Sequence, residues 1–194
     1  MAVLAADIRC EIREVLLRDK PASMLEASPK GTVPVLVLPG RVIDESLDVM
    51  NWALEQHDPQ QWLTGSSQES RRLLRANDGR FKHHLDRFKY SARHDADPQR
   101  ERDEAAVFIA QLESRLSDAE NLLDDKPRQA DVAIFPFVRQ FAGVDRAYWE
   151  ASPFPNTRRW LQTWCASPLF ARCMHKHPPW QPSDEPIFFP PPAA

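Results

Sequence analysis

Strand-like patterns dominate the start of the chain. Apolar and charged side chains alternate over residues 9–13, which is the two-residue period of a half-buried strand. Residues 33–38 are apolar on both faces, as in a strand that is covered on two sides. Pro39-Gly40 is a turn signal, and residues 41–43 return as a second strand. The sequence therefore predicts a tight hairpin.

Helical patterns lie on either side of this hairpin. A short amphipathic stretch around Met24 is ended by the helix-breaking sequence at residues 28–31. Behind the triplet Asp-Glu-Ser at residues 44–46, apolar residues recur at helical spacing over residues 47–54. This pattern places an acidic residue at the N-terminus of an amphipathic helix.

After residue 58 the apolar period changes to about 3.6 residues and stays there, which predicts a linker near Gly65 and a helical second domain. Four helices are expected. Their core-facing residues are Leu74, Phe81, Leu85 and Phe88 in the first, Ala105, Phe108, Ile109, Leu112, Leu116, Ala119 and Leu123 in the second, Ile134, Phe137, Val138 and Phe141 in the third, and Trp160, Leu161 and Trp164 in the fourth.

These patterns predict an α/β domain at residues 1–58 and an all-α helical bundle at residues 66–177. Many of the 18 prolines fall in a tail at residues 178–194, which we expect to be extended and to share no core with either domain.

Composition narrows the range of functions. The 194 residues include 25 Lys and Arg against 28 Asp and Glu, so there is no positive excess for binding nucleic acid. No uninterrupted apolar stretch approaches the roughly 20 residues of a membrane-spanning helix. Three widely spaced cysteines suit a reducing compartment. We therefore expect a cytoplasmic protein with no membrane or nucleic-acid partner.

Two motifs carry a resemblance to a known family. Residues 28–36, Ser-Pro-Lys-Gly-Thr-Val-Pro-Val-Leu, and the triplet at residues 44–46 resemble the glutathione-binding half of glutathione transferases, particularly the omega-like and related bacterial classes. Residues 129–136 are similar to the interior helix of the family's C-terminal domain. The resemblance implies a thioredoxin-like N-terminal domain followed by a helical C-terminal domain.

The resemblance also implies a site for glutathione. Val33-Pro34 is similar to the family's cis-proline turn, where the backbone before the proline pairs with the cysteinyl unit of the tripeptide. Ser46 would take the γ-glutamyl carboxylate at a helix N-terminus, and Glu45 the ammonium group. Lys20 matches a family lysine that reaches the glycyl carboxylate.

Simpler interpretations of the same residues stay open. The triplet at residues 44–46 also fits a plain helix cap, and Val33-Pro34 also fits an ordinary trans proline at a strand edge. Lys30, in the loop before the turn, competes with Lys20 for the glycyl carboxylate. For either lysine the alternative is a solvated surface charge.

The family's catalytic position has no counterpart among the matched residues. In the family, a first strand leads to a helix whose N-terminus carries a Cys, Ser or Tyr. Residues 1–6 resemble only the last turn of that helix, so we expect an incomplete thioredoxin-like domain that lacks the first strand and most of the first helix. The catalytic residue is therefore unknown. Cys10 lies at strand spacing and is interpreted as a small core residue.

No metal is predicted. Residues 83–86 include two histidines and an aspartate, and residues 173–177 include a cysteine and two histidines. Neither group has the i, i+4 or paired-cysteine spacing that zinc sites prefer. Phe81, Phe88 and Tyr90 match the region that lines the family's electrophile pocket, but core packing is the favoured role.

The resemblance implies a glutathione transferase that acts as a homodimer. Its substrates would be glutathione and a small electrophile or a disulfide. The alternative is a catalytically silent module of the same fold that recognises a peptide or protein.

Overall fold

The structure is a computed structural model, and it describes residues 1–65 and 68–190. Contacts divide the chain into two compact units. The first unit contains Met1–Gln60 together with the residues from Pro168 onward, and the second unit contains Gln61–Ser167. No helix in the described ranges is long and apolar enough to cross a membrane.

The N-terminal part of the first unit mixes short helices and strands. Its elements are α1 (Ala2–Ala5), β1 (Cys10–Ile12), α2 (Ala22–Ala27), β2 (Leu36–Leu38), β3 (Arg41–Ile43) and α3 (Ser46–Gln56). The predicted hairpin is confirmed, because β2 pairs antiparallel with β3 from Leu36↔Ile43 to Leu38↔Arg41. Gly40 has a φ of 71°, a left-handed conformation that glycine adopts without steric cost. The strand is shorter than expected, since residues 33–35 are not part of it.

Helices make up most of the second unit. They are α4 (Gln68–Ala76), α5 (Lys82–Lys89), α6 (Ser91–His94), α7 (Pro98–Leu116), α8 (Gln129–Val144), α9 (Arg146–Ala151) and α10 (Pro155–Ala166). A π-helical turn at Asn77–Phe81 separates α4 from α5, where the sequence had predicted one helix. The placement of Ala119 and Leu123 on the second helix was wrong, because α7 ends at Leu116 and both residues lie in the non-helical segment that follows.

Aromatic side chains form the centre of the second unit. The ring centroids of Phe81 and Phe108 are 4.9 Å apart, and Phe135 stacks on Trp164 at 5.4 Å. Phe81, Phe108 and Phe135 are all buried. Phe81 and Phe88, considered above as electrophile-pocket residues, are buried as core residues, whereas Tyr90 is exposed.

The end of the chain returns to the first unit. Its elements are α11 (Pro168–Cys173) and β4 (Ile187–Phe189), and β4 pairs antiparallel with β1. The expectation that the tail shares no core was therefore wrong for its described part. An unpaired edge of β1 would leave backbone groups without partners, and pairing with β4 provides those partners. The domain limits expected from the sequence remain predictions.

Candidate functional site

The hairpin sets the geometry of the predicted glutathione site. Leu36 and Ile43 are the last paired residues at its open end. Beyond this pair the strands end: Val33 lies three residues before Leu36 in the preceding loop, and Ser46 lies three residues after Ile43 at the start of α3. The Val33-Pro34 peptide bond is cis. Val33 is 51% exposed, and Ser46 is also exposed, so both face solvent at the same end of the hairpin.

A polar cluster ties the loop before Val33 to the start of α3. The Ser28 hydroxyl donates to Asp44 Oδ2 at 2.7 Å, and Lys30 Nζ donates to Asp44 Oδ1 at 2.9 Å and to Glu45 Oε1 at 2.8 Å. The hydrogen bonds from Ser28 and Lys30 lower the pKa of Asp44. Those from Lys30 to Glu45 and Asp44 raise the pKa of Lys30. We call Ser28, Lys30, Asp44 and Glu45 the loop cluster.

The start of α3 is open at its N-terminal end. Glu45 is the N-cap residue, but its side chain makes no capping hydrogen bond. The first helical backbone bond runs from Val49 N–H to the carbonyl of Glu45. Early N–H groups of a helix have no partner within the helix and favour an anion. Ser46, the first residue of α3, lies where its hydroxyl can supplement those groups.

Lys20 lies over the loop that leads to Val33. A Cβ added at Gly31 would lie 3.5 Å from Lys20 Nζ and 3.3 Å from Leu25 Cδ2, and Gly31 has a φ of 61°. Only glycine fits this combination of close approach and left-handed backbone. Lys20 makes no ion pair with any residue in the described ranges, whereas Lys30 is held by two carboxylates. Lys20 therefore lies beside Gly31 in the loop before Val33, whereas Lys30 pairs with Asp44 and with Glu45 of the predicted site.

Comparison with known families identifies the chain. The glutathione S-transferase N-terminal domain family matches residues 1–62, and the glutathione S-transferase C-terminal domain family matches residues 98–163. The chain belongs to the glutathione S-transferase family. The predicted fold class, a thioredoxin-like N-terminal domain and a helical C-terminal domain, is confirmed. A comparison with curated proteins finds no significant match.

Solved structures of transferases share this fold. A family member from Pseudomonas fluorescens Pf-5 with two glutathione molecules bound has 22% identity and a TM-score of 0.67, over 78% of this chain and 74% of its own. Glutathione S-transferase 1-6 from Anopheles dirus species B has 17% identity and a TM-score of 0.69, over 85% and 81%. A Phanerochaete chrysosporium transferase in complex with oxidized glutathione has 19% identity and a TM-score of 0.67, over 78% and 75%.

Two cysteines of this glutathione S-transferase family member, Cys10 and Cys165, have raised thiol pKa values. Burial raises the pKa of Cys10, whose Sγ lies 3.5 Å from the carbonyl oxygen of Phe189. Burial also raises the pKa of Cys165, with a smaller opposing effect from Arg139. A thiol with a raised pKa is a poorer nucleophile at neutral pH. The interpretation of Cys10 as a packing residue agrees with this.

Two histidines of the second unit contact carboxylates. His84 Nδ1 lies 2.6 Å from Glu101 Oε2, and His94 Nε2 lies 2.7 Å from Asp86 Oδ2. Across residues 1–65 and 68–190, no group of three or more His, Cys, Asp or Glu side chains could hold a metal ion. The expectation of no metal stays a prediction.

Sequence reasoning missed two features near the candidate site. It treated Lys30 only as a rival to Lys20, although Lys30 bridges Asp44 and Glu45. It also missed Trp180 of the tail, which stacks on Arg13 at 4.5 Å and lines a cavity of about 130 Å³ that Val33 also lines. The Lys30 contacts depend on the conformation of a loop, and the Trp180 contact depends on the return of a distant part of the chain. No local sequence pattern predicts either contact.

Proposed function

We propose that this chain binds reduced glutathione at the open end of the β2–β3 hairpin. The backbone of Val33 pairs with the cysteinyl unit, beside Pro34. Ser46 and the first N–H groups of α3 take the γ-glutamyl carboxylate. Glu45 takes the ammonium group, and Lys20 takes the glycyl carboxylate.

The observation that carries this proposal is the convergence of these groups on one end of the hairpin. Val33 and Ser46 each lie three residues along the chain from the last pair of the hairpin, Leu36↔Ile43, and the loop cluster ties the loop before Val33 to the start of α3. The charges also match those of the ligand. Lys20 and the start of α3 suit two carboxylates, and Glu45 suits one ammonium. On binding, the ligand ammonium replaces Lys30 at Glu45, which exchanges one cation for another.

The proposed reaction is that of a glutathione transferase. The glutathione thiolate forms a bond to an electrophilic carbon as a leaving group departs, or it attacks a disulfide and releases a thiolate. The residue that activates the thiol is not assigned. Family membership supports this reaction, a homodimeric assembly and a cytoplasmic location as parts of the proposal. Glutathione bound in the related structures from P. fluorescens and P. chrysosporium supports the choice of ligand.

A second candidate is a catalytically silent module of the same fold that recognises a peptide or protein. One observation favours it. Burial raises the pKa of both Cys10 and Cys165, so neither provides an activated thiol. The two candidates differ in turnover of a chromogenic aryl halide with glutathione, which the transferase performs and the silent module does not.

Titration calorimetry with reduced glutathione tests the proposed site. We expect Ser46→Ala to weaken binding about fivefold to tenfold, and Glu45→Gln about tenfold, because each removes a partner of a charged ligand group. Lys20→Ala should weaken binding about threefold, since its amine stays solvated.

Matched controls lie in the second unit. Ser114→Ala and Lys126→Ala change exposed residues outside the proposed site and should leave glutathione affinity unchanged. Desulfurised glutathione, with alanine in place of cysteine, should retain most of the affinity because the proposed contacts are to the backbone and the charged ends of the ligand. Wild-type affinity in both Ser46→Ala and Glu45→Gln would remove the start of α3 from the site.

A further inference from the structure

The helix α2 is too short to hold its own position beside the proposed glutathione site. Lys20, the proposed partner of the glycyl carboxylate, comes directly before Pro21, the N-cap residue of α2. The helix has six residues, none of them buried, and its N-terminus has no side-chain capping hydrogen bond. Helices of this length are not stable in isolation, so the position of α2 depends on its neighbours.

One neighbour of α2 is Trp180 of the tail. Trp180 lines a cavity of about 130 Å³ together with Pro21, Ser23 and Val33. It also lines a second cavity, of about 320 Å³, whose walls again include Pro21 and Ser23. Trp180 therefore lies beside the start of α2 and close to Val33 of the proposed site.

Trp180 is itself anchored to the residues that follow β1. Its backbone N–H donates to the carbonyl oxygen of Glu14 at 2.8 Å, and Pro179 forms a parallel bridge with the same residue. The Arg13 guanidinium lies over the Trp180 ring, 4.5 Å from its centroid, and Arg13 pairs with Glu11 at 2.7 Å. The tail thus places an anchored aromatic side chain next to a helix that has no buried residue.

The position of α2 is linked to that of Lys20 through Gly31. Leu25 of α2 and the Lys20 side chain both lie against Gly31, in the loop that leads to Val33. A displacement of α2 would therefore move the Lys20 amine relative to Val33. These two residues are the proposed partners of the glycyl and cysteinyl units of glutathione.

We propose that Trp180 is a positioning residue for the glycyl end of glutathione. It holds the start of α2 in place, so that Lys20 meets the glycyl carboxylate, and it does not itself contact the ligand. This inference rests on the proposed function, and it makes the docked tail a requirement for full glutathione affinity.

Titration calorimetry compares glutathione with glutathione amide, in which a neutral carboxamide replaces the glycyl carboxylate. We expect Trp180→Ala to weaken glutathione binding about threefold, the same factor as Lys20→Ala, because both affect one contact. Glutathione amide should bind Trp180→Ala and the wild type equally. The double variant Lys20→Ala with Trp180→Ala should bind glutathione no more weakly than Lys20→Ala alone. Trp180→Phe keeps a ring over Arg13 and should restore wild-type affinity.

Amide hydrogen exchange tests the positioning without any ligand. The N–H groups of Met24 and Leu25 both donate to the carbonyl oxygen of Pro21 at the start of α2. In ligand-free Trp180→Ala these two amides should exchange at least threefold faster than in the wild type, as measured by NMR. If the wild type does not bind glutathione, the proposed glutathione site is wrong, and the exchange rates still decide whether Trp180 holds α2.

Phe188→Ala is the matched control. Phe188 lies in the same tail with Arg9 over its ring at 4.2 Å, but it lines neither cavity beside α2. This variant should change neither glutathione affinity nor exchange in α2. The proposal is overturned if Trp180→Ala binds glutathione or exchanges like the wild type, if it weakens glutathione amide equally, or if Phe188→Ala has the same effects. Trp180→Leu provides the same comparisons should Trp180→Ala lose its circular-dichroism spectrum.

Discussion

Two helix starts in this protein are organised in opposite ways. At the start of α8, Asp131 is fully buried and accepts hydrogen bonds from Leu122 N–H at 2.9 Å, Arg128 N–H at 2.9 Å and Trp160 Nε1 at 3.0 Å. At the start of α3, Glu45 is exposed, makes no side-chain capping bond and pairs with the exposed side chain of Lys30.

The difference separates a structural helix start from one that is available to a ligand. At the start of α8 the hydrogen bonds of Asp131 are made within the protein. This helix start therefore stabilises the fold, and Asp131 is not available to a ligand. The start of α3 has the exposed Ser46 hydroxyl beside its early N–H groups, and the side chain of its N-cap residue, Glu45, pairs with the exposed Lys30 instead of capping the helix. Substitutions at buried helix starts should therefore change stability, and those in the loop cluster should change binding.

The largest effect is expected from Asp131→Ala. The substitution leaves three buried or half-buried donors without an acceptor, so the free energy of unfolding should fall by about 3 kcal/mol, measured by urea denaturation with tryptophan fluorescence. Asp131→Asn keeps one acceptor oxygen, so its free energy of unfolding should fall by less than that of Asp131→Ala. Asp103→Ala, at an exposed ion pair, is the control and should change stability by less than about 0.5 kcal/mol. If Asp131→Ala lowers the free energy of unfolding no more than Asp103→Ala does, the buried carboxylate of Asp131 does not stabilise the fold.

Glu113→Ala should have the next largest effect on stability. Glu113 on α7 accepts four hydrogen bonds at the start of α10, from the backbone and side chains of Asn156 and Thr157, at 2.8–3.1 Å. Burial raises the pKa of Glu113, but these hydrogen bonds outweigh it and lower the pKa overall. Removing the cap should lower the free energy of unfolding by about 2 kcal/mol, again by urea denaturation. Glutathione affinity should stay unchanged in the folded variant, and a weakened affinity would contradict the division drawn above.

Acidification should weaken a third helix start, where Glu101 lies in the first turn of α7. Hydrogen bonds from His84 and Arg87 lower the pKa of Glu101 to about 2 from 4.5. Because the folded-state pKa is depressed, the stabilisation is present above about pH 4.5 and is lost as the pH falls towards 2. The free energy of unfolding of the wild type should exceed that of Glu101→Gln by about 1.5 kcal/mol at pH 6, and this difference should be smaller at pH 3. If the difference in unfolding free energy between wild type and Glu101→Gln does not change with pH, the ionised carboxylate of Glu101 is not its cause.

The smallest effect is expected from Lys30→Ala. This substitution frees Glu45 from a cation that the glutathione ammonium must replace, so glutathione affinity should rise about threefold by calorimetry. Thermal stability should barely change, because the pairs of Lys30 are exposed. Lys126→Ala is the charge-matched control. If Lys30→Ala instead weakens glutathione binding as much as Ser46→Ala does, Lys30 stabilises the conformation of the site rather than competing with the glutathione ammonium for Glu45.

Local patterns predicted those elements whose partners are near in sequence. The hairpin followed from an apolar run, a Pro39-Gly40 turn and a returning strand, and its pairing is as expected. The helical second unit followed from its apolar period. The π-helical turn at Asn77–Phe81 and the end of α7 at Leu116 were missed, because the apolar spacing continues across both. The five proposed glutathione residues came from motif resemblance, and their roles remain predictions.

The sequence by itself determined the family, the β2–β3 hairpin and the helical second unit, because short-range spacing and turn residues encode these directly. Only the tertiary structure decided where the tail lies, which lysine is neutralised and which helix starts are filled. The strand β4 meets β1 across 179 positions in the Cys10–Phe189 contact, and Glu113 reaches α10 across 43 and 44 positions. Such contacts depend on which surfaces the folded chain brings together, and that information is absent from any local window.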